Sequence, residues 1–119
     1  MFSALAAFDF PADMTSDDEY GGGANYRTQA NFQDNYQLTA SFIDAHAAPF
    51  TTEDRILISE GPAFTTQVTD FGNLLASEGV MYSSLDQIND AHSWSSGWLS
   101  GAIAGLYGLE QKLSPAPSA

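Results

Sequence analysis

The chain has no cysteine and only three basic residues, Arg27, Arg55 and Lys112, in 119 positions. Without thiols it cannot be a disulfide scaffold, a thiolate zinc protein or a cysteine-nucleophile enzyme. With 15 acidic residues against those three, the net charge is -12, which argues against direct nucleic-acid binding and against attraction to anionic lipid, because both require cations to neutralise phosphate. No basic segment precedes the apolar start MFSALAAF, and Asp9, Phe10 and Pro11 follow at once. Synthesis in the cytoplasm without classical export is therefore expected. Long apolar runs are also missing. The longest uncharged stretch, Ala91 to Leu109, has 19 residues, close to the roughly 20 that span a bilayer. Its five Ser or His and four Gly make it a buried helix rather than a membrane span, with lipid contact the lesser reading.

What is present suffices for one small core: 44% of residues are hydrophobic and 13% aromatic. Ten Asp and five Glu beside one Lys suit a protein kept soluble at high salt or one that meets a basic partner.

Three regions follow from the pattern. Residues 1–30 read as an extended acidic arm, with Asp9, Asp13, Asp17, Asp18 and Glu19 close together, Pro11 as an interruption and Gly21-Gly22-Gly23 as a hinge. Phe2, Leu5, Phe8, Phe10 and Tyr20 would be wasted on a solvated tail, so the arm is expected to dock on its own core or on a neighbour. Residues 31–113 read as a helical domain, and 114–119 (SPAPSA) as a disordered tail.

Within the domain, Phe32, Tyr36, Phe42, Ile43 and Ala47 recur mostly at helical spacing and predict a first core helix stopped by Pro49. Two capped segments follow, Thr51-Thr52 to Ser59-Glu60-Gly61 and Thr65-Thr66 to Ser77-Glu78-Gly79. Ile56-Leu57-Ile58 could be a short strand, since three apolar residues reveal no period. With so little β-branched alternation elsewhere, helix is preferred. A short helix through Leu85, Ile88 and Ala91, capped by Ser83 or Ser84, and a last helix from Ser95 or Ser96 to Leu113 complete the expectation. The fold class expected is all-α, a small bundle of four or five short helices behind an extended acidic N-terminal arm.

The most specific motif is Gly97-x3-Gly101-x3-Gly105, with Ala104 and Gly108 on the same side of a helix and bulky residues opposite. Four glycines cost a helix several kcal/mol at about 1 kcal/mol each, which close packing must offset. The motif is similar in pattern to glycine-zipper helices and implies either an oligomer face or packing within the chain. Trp94 and Trp98, one turn apart, are candidate interface anchors. Tyr82-Ser-Ser-Leu-Asp86 resembles the Tyr-x3-Asp pattern of actinobacterial type VII secretion substrates over five residues. The Trp-x-Gly turn of that family is lacking, since Trp94-Ser-Ser-Gly97 is one residue longer and follows the Tyr motif.

Chemistry is less visible. Asp-Ala-His occurs at Asp44-Ala45-His46 and Asp90-Ala91-His92, but residues i and i+2 of a helix point apart, so neither motif makes a chelate and no metal is expected. No Gly-x-Ser-x-Gly occurs, and Gly21-Gly22-Gly23 lacks the lysine of a phosphate loop. No catalytic residue and no cofactor is expected. The function expected is a non-enzymatic structural or accessory subunit of a larger assembly, a virion or multi-subunit complex, whose partners are other protein subunits, further copies of itself included. Its interface would comprise Gly97, Gly101, Ala104, Gly105 and Gly108, with Trp94, Trp98, Phe8 and Phe10. The alternative is an acidic inhibitor that mimics nucleic acid in a basic groove.

Overall fold

A computed structural model describes residues 4 to 113; the predicted tail at 114–119 lies outside them. At its centre are three parallel strands, β1 (Leu5–Phe8), β2 (Ile56–Glu60) and β3 (Ser83–Asp86), in that spatial order. Five helices accompany them: α1 (Gly23–Tyr26), α2 (Gln29–Asn35), α3 (Ala40–His46), α4 (Thr65–Ser77) and α5 (Trp98–Glu110). The all-α expectation is thus overturned: the fold mixes α and β, 45% helical and 12% strand.

The reason lies in β2. It is the middle strand, covered on both faces, so its residues Leu57, Ile58 and Ser59 are all buried and show no alternation. Successive side chains of a strand point to opposite faces, and two helices use this. A Cβ at Gly72 of α4 would lie 3.1 Å from Ile58, whereas one at Gly105 of α5 would lie 2.7 Å from Leu57. The helices therefore press backbone against opposite sides of the same strand, α4 on one and α5 on the other.

The register aligns Phe8 with Ser59 and Ser59 with Leu85, so these three share the α5 side. On the α4 side, Ile43, Ala47, Leu75 and Val80 form the buried cluster, flanked by Phe50, Ile56, Phe71, Leu74 and Tyr82. The predicted first core helix is two helices, α2 and α3. Thr28 and Thr39 each cap one of them, accepting from Asn31 N at 3.1 Å and Phe42 N at 3.2 Å. The segment Thr65 to Gly79 is a helix as read, ending with Gly79 at φ +74°, but its threonines do not cap it: the N-cap residue is Phe64, and the Thr65 hydroxyl donates to Gly61 O at 2.6 Å. Its shorter twin at Thr51 holds β2 instead, and the helix expected at Ser83 is β3.

The expected arm opens with strand β1 and then docks on its own core. Asp9 and Ala12 are buried, Phe10 meets Phe71 edge-on at 5.5 Å, and Tyr20 meets Phe64 at 5.4 Å. Glu19 ties the turn before α1 by accepting from Thr15 N at 2.9 Å, Thr15 Oγ1 at 3.0 Å and Ser16 N at 3.0 Å. These bonds, the Thr15 amide foremost, hold its carboxyl below the usual carboxylate range.

Candidate functional site

In a parallel sheet all strands point their carboxyl ends to one edge, and the connections leaving that edge converge. Here they bring together Asp9 after β1, Gly61 to Phe64 after β2, and Gln87 to Gly97 after β3. Asp9 is the focus. It is wholly buried and sits at φ 45°, a left-handed conformation that Asp tolerates better than most residues.

Three donors surround its carboxylate. Phe64 N donates to Oδ1 at 2.6 Å, Ala63 N donates to Oδ2 at 3.0 Å, and His92 Nδ1 lies 2.8 Å from Oδ2. Ala63 and Phe64 immediately precede α4, whose N-cap residue Phe64 has no capping side chain of its own. Asp9 therefore caps that helix from another strand, where amide groups and helix dipole favour a negative charge. Gly61 makes room for it. A Cβ there would fall 2.4 Å from the Cβ of Asp9.

Because each carboxylate oxygen already faces a backbone N–H, Asp9 is the acceptor and the ring nitrogen of His92 is the donor. The neutral imidazole thus carries its proton on Nδ1, leaving a lone pair on Nε2. Among the described residues nothing is hydrogen-bonded to Nε2, and the side chain is 53% exposed. Aromatic rings fix its plane: Phe64 packs edge-on at 5.7 Å and Phe8 lies 6.3 Å away at 22°.

His92 opens on a cleft of about 400 Å³ lined by Phe8, Ser93, Trp94 and Trp98. Gln87, behind the cleft, holds the start of the helix that carries Trp98. Nearly buried, it takes the Ser59 hydroxyl on Oε1 and donates from Nε2 to the Trp98 carbonyl at 2.8 Å, pinning the start of α5 to the sheet. Gly97, at φ 101°, turns the loop into that helix. Trp98 then stacks on Phe8 with centroids 4.5 Å apart and planes 9° from parallel, and Trp94 sits 5.2 Å from Trp98 at 39°.

The predicted interface residues divide. Phe8, Trp94 and Trp98 line this cleft, and Phe10 packs on Phe71. Gly101 and Gly105 face the chain's own sheet at Gln87 and Leu57, while Gly97, Ala104 and Gly108 are exposed. Of the two histidines, His46 bonds its own helix through Phe42 O at 2.7 Å. Among the described residues no three His, Asp or Glu are grouped to hold a metal ion. No helix of the described residues is long and apolar enough to cross a membrane.

Sequence reading missed the pairing of Asp9 with His92, which are 83 positions apart. The available signal was Asp9 directly after an apolar run and His92 soon after Leu85, visible only once both runs are strands. Comparison with known proteins returns no matching family model, no matching curated protein and no matching solved structure.

Proposed function

We propose that the chain carries the acid–base pair of an acyl-transfer or hydrolytic site, with His92 as general base and Asp9 as the residue that orients it. One observation carries the reading: a wholly buried carboxylate holds Nδ1 of a half-exposed histidine at 2.8 Å and leaves Nε2 free at a cleft. That is how a buried aspartate sets the tautomer of a base and stabilises the imidazolium formed when the base takes a proton. The acid also precedes the histidine along the chain, both at the carboxyl ends of parallel strands, as in hydrolases built on such sheets. Among the described residues no hydroxyl is bonded to Nε2, so the nucleophile is a water or hydroxyl that enters the cleft. His92 removes its proton as it attacks the carbonyl and returns that proton to the leaving group.

Hydrolysis of p-nitrophenyl acetate by the whole chain tests this. The wild type should exceed an equal concentration of free imidazole, and His92→Gln should fall to background. Equal rates for wild type and His92→Gln would refute it.

A second reading, the assembly subunit expected from sequence, is favoured by the outer face of α5. Leu99, Ile103 and Tyr107 form one row along that face and are 40%, 58% and 67% exposed. A soluble helix rarely leaves such a row uncovered. The occupant in this reading is a second copy of the chain. Light scattering should then give a dimer that Ile103→Glu converts to a monomer; a wild-type monomer would reject it.

A further inference from the structure

Beside His92, Trp98 lies between Phe8 and Trp94, and Trp94 leaves its outer face uncovered. Trp98 is backed by Phe8 in a near-parallel stack, whereas Trp94 is 78% exposed and tilted 39° from Trp98. Exposing an indole this fully forfeits its burial, a loss that a stacking ligand would recover. The lining is mainly aromatic, its polar side-chain groups are the His92 ring, the Ser93 hydroxyl and the two indole N–H groups, and it contains no lysine or arginine. The chain around it carries a net charge of -12, which repels anions. A volume of about 400 Å³ suits a ligand of one or two rings.

We infer that the substrate is a neutral aryl ester or amide, its ring stacked on the uncovered face of Trp94 and its carbonyl presented to His92. The assignment rests on the general-base reading for the reacting carbonyl, while the ring site stands on the exposed Trp94 at the cleft alone. The ring occupies the space beside Trp94, and an aliphatic ring of equal bulk lacks the π-face that pairs with indole. A carboxylate next to the ring is disfavoured by the chain's net negative charge.

Trp94 and Trp98 are the chain's only tryptophans, so fluorescence excited selectively at tryptophan, past the absorption of the tyrosines, reports on this cleft. The test titrates the whole chain with 2-phenylacetamide, cyclohexylacetamide and phenylacetate. Saturable quenching by 2-phenylacetamide is expected, with affinity at least fivefold better than for the other two. Trp94→Ala, at an exposed site that leaves the far-UV circular dichroism unchanged, should lose at least tenfold, read from Trp98. No saturable change, equal affinity for the cyclohexyl compound, or an unaffected Trp94→Ala would overturn the ring site, even if the p-nitrophenyl acetate assay succeeds. Binding that meets these criteria in a chain without His92-dependent esterase activity would overturn the base and, with it, the reacting carbonyl, leaving the ring site standing.

Discussion

Replacing Asp9 by Asn keeps the shape of the side chain and removes one of its two acceptor oxygens. With the amide oxygen at the Oδ2 position, Ala63 N and His92 keep their partner, but the amide NH2 then faces Phe64 N, donor against donor. The reverse orientation strands Ala63 N and forces His92 into its other tautomer. At least one charge-assisted hydrogen bond is lost in a fully buried place, a loss of about 1.5–3 kcal/mol. Asp9→Ala strands all three donors and should cost about 3–5 kcal/mol, the range for breaking a buried charged pair. His92→Ala leaves Ala63 N still on Oδ2, and the lost partner is half exposed, so about 1 kcal/mol is expected. Urea unfolding followed by circular dichroism should place Asp9→Ala as the most destabilised, then Asp9→Asn, then His92→Ala, with lower midpoints and unchanged slopes. The double variant Asp9→Asn with His92→Ala should lose less than the sum, since the two side chains share a bond. An Asp9→Asn chain within about 0.5 kcal/mol of wild type, the usual scatter of neutral substitutions, would show that the carboxylate is not the acceptor drawn above.

Two glycines of the same helix should respond oppositely to alanine. At Gly108 nothing lies within 4 Å of the added Cβ, so helix propensity alone acts and stability should rise by about 0.5–1 kcal/mol. At Gly105 the Cβ would meet Leu57 at 2.7 Å, and overpacking of about 1–3 kcal/mol should exceed that gain; thermal melts that move both variants the same way would reject the packing of α5 on the sheet. Glu19 has its carboxyl pKa lowered by folding, so its contribution is present above the unfolded value and fades as pH falls through the folded one. Amide exchange at Thr15 and Ser16 should accelerate on acidification in wild type but be pH-flat, after intrinsic correction, in Glu19→Gln.

The legible parts of the fold were those with local punctuation. α4 could be read from the helical spacing of Val68, Phe71, Leu74 and Leu75 and from Gly79, whose left-handed turn acts within a few residues, and the last helix because its apolar run is long; the cap expected of Thr65 comes instead from the distant Asp9. β2 was not legible, since a strand buried on both faces loses the alternation that identifies strands. β3, with the sequence Ser-Ser-Leu-Asp, offers one apolar side chain, and β1 was hidden by the acidic residues that follow it. Of the residues expected to form one glycine face, only Gly101 and Gly105 meet the chain's own sheet, at Gln87 and Leu57, while Gly97, Ala104 and Gly108 are exposed, a division that spacing alone does not encode. The Asp9–His92 pair depends on β1 lying beside β2, a register that no local signal encodes.

The proton on His92 tests the central claim most directly. In a His46→Gln chain, which leaves one histidine, a long-range proton–nitrogen correlation spectrum at a pH where the ring is neutral reports which nitrogen is protonated. Held by Asp9, His92 should carry its proton on Nδ1 and show Nε2 as the bare nitrogen. A neutral ring protonated on Nε2 would contradict the account, because such a ring has no lone pair with which to act as a base at the cleft.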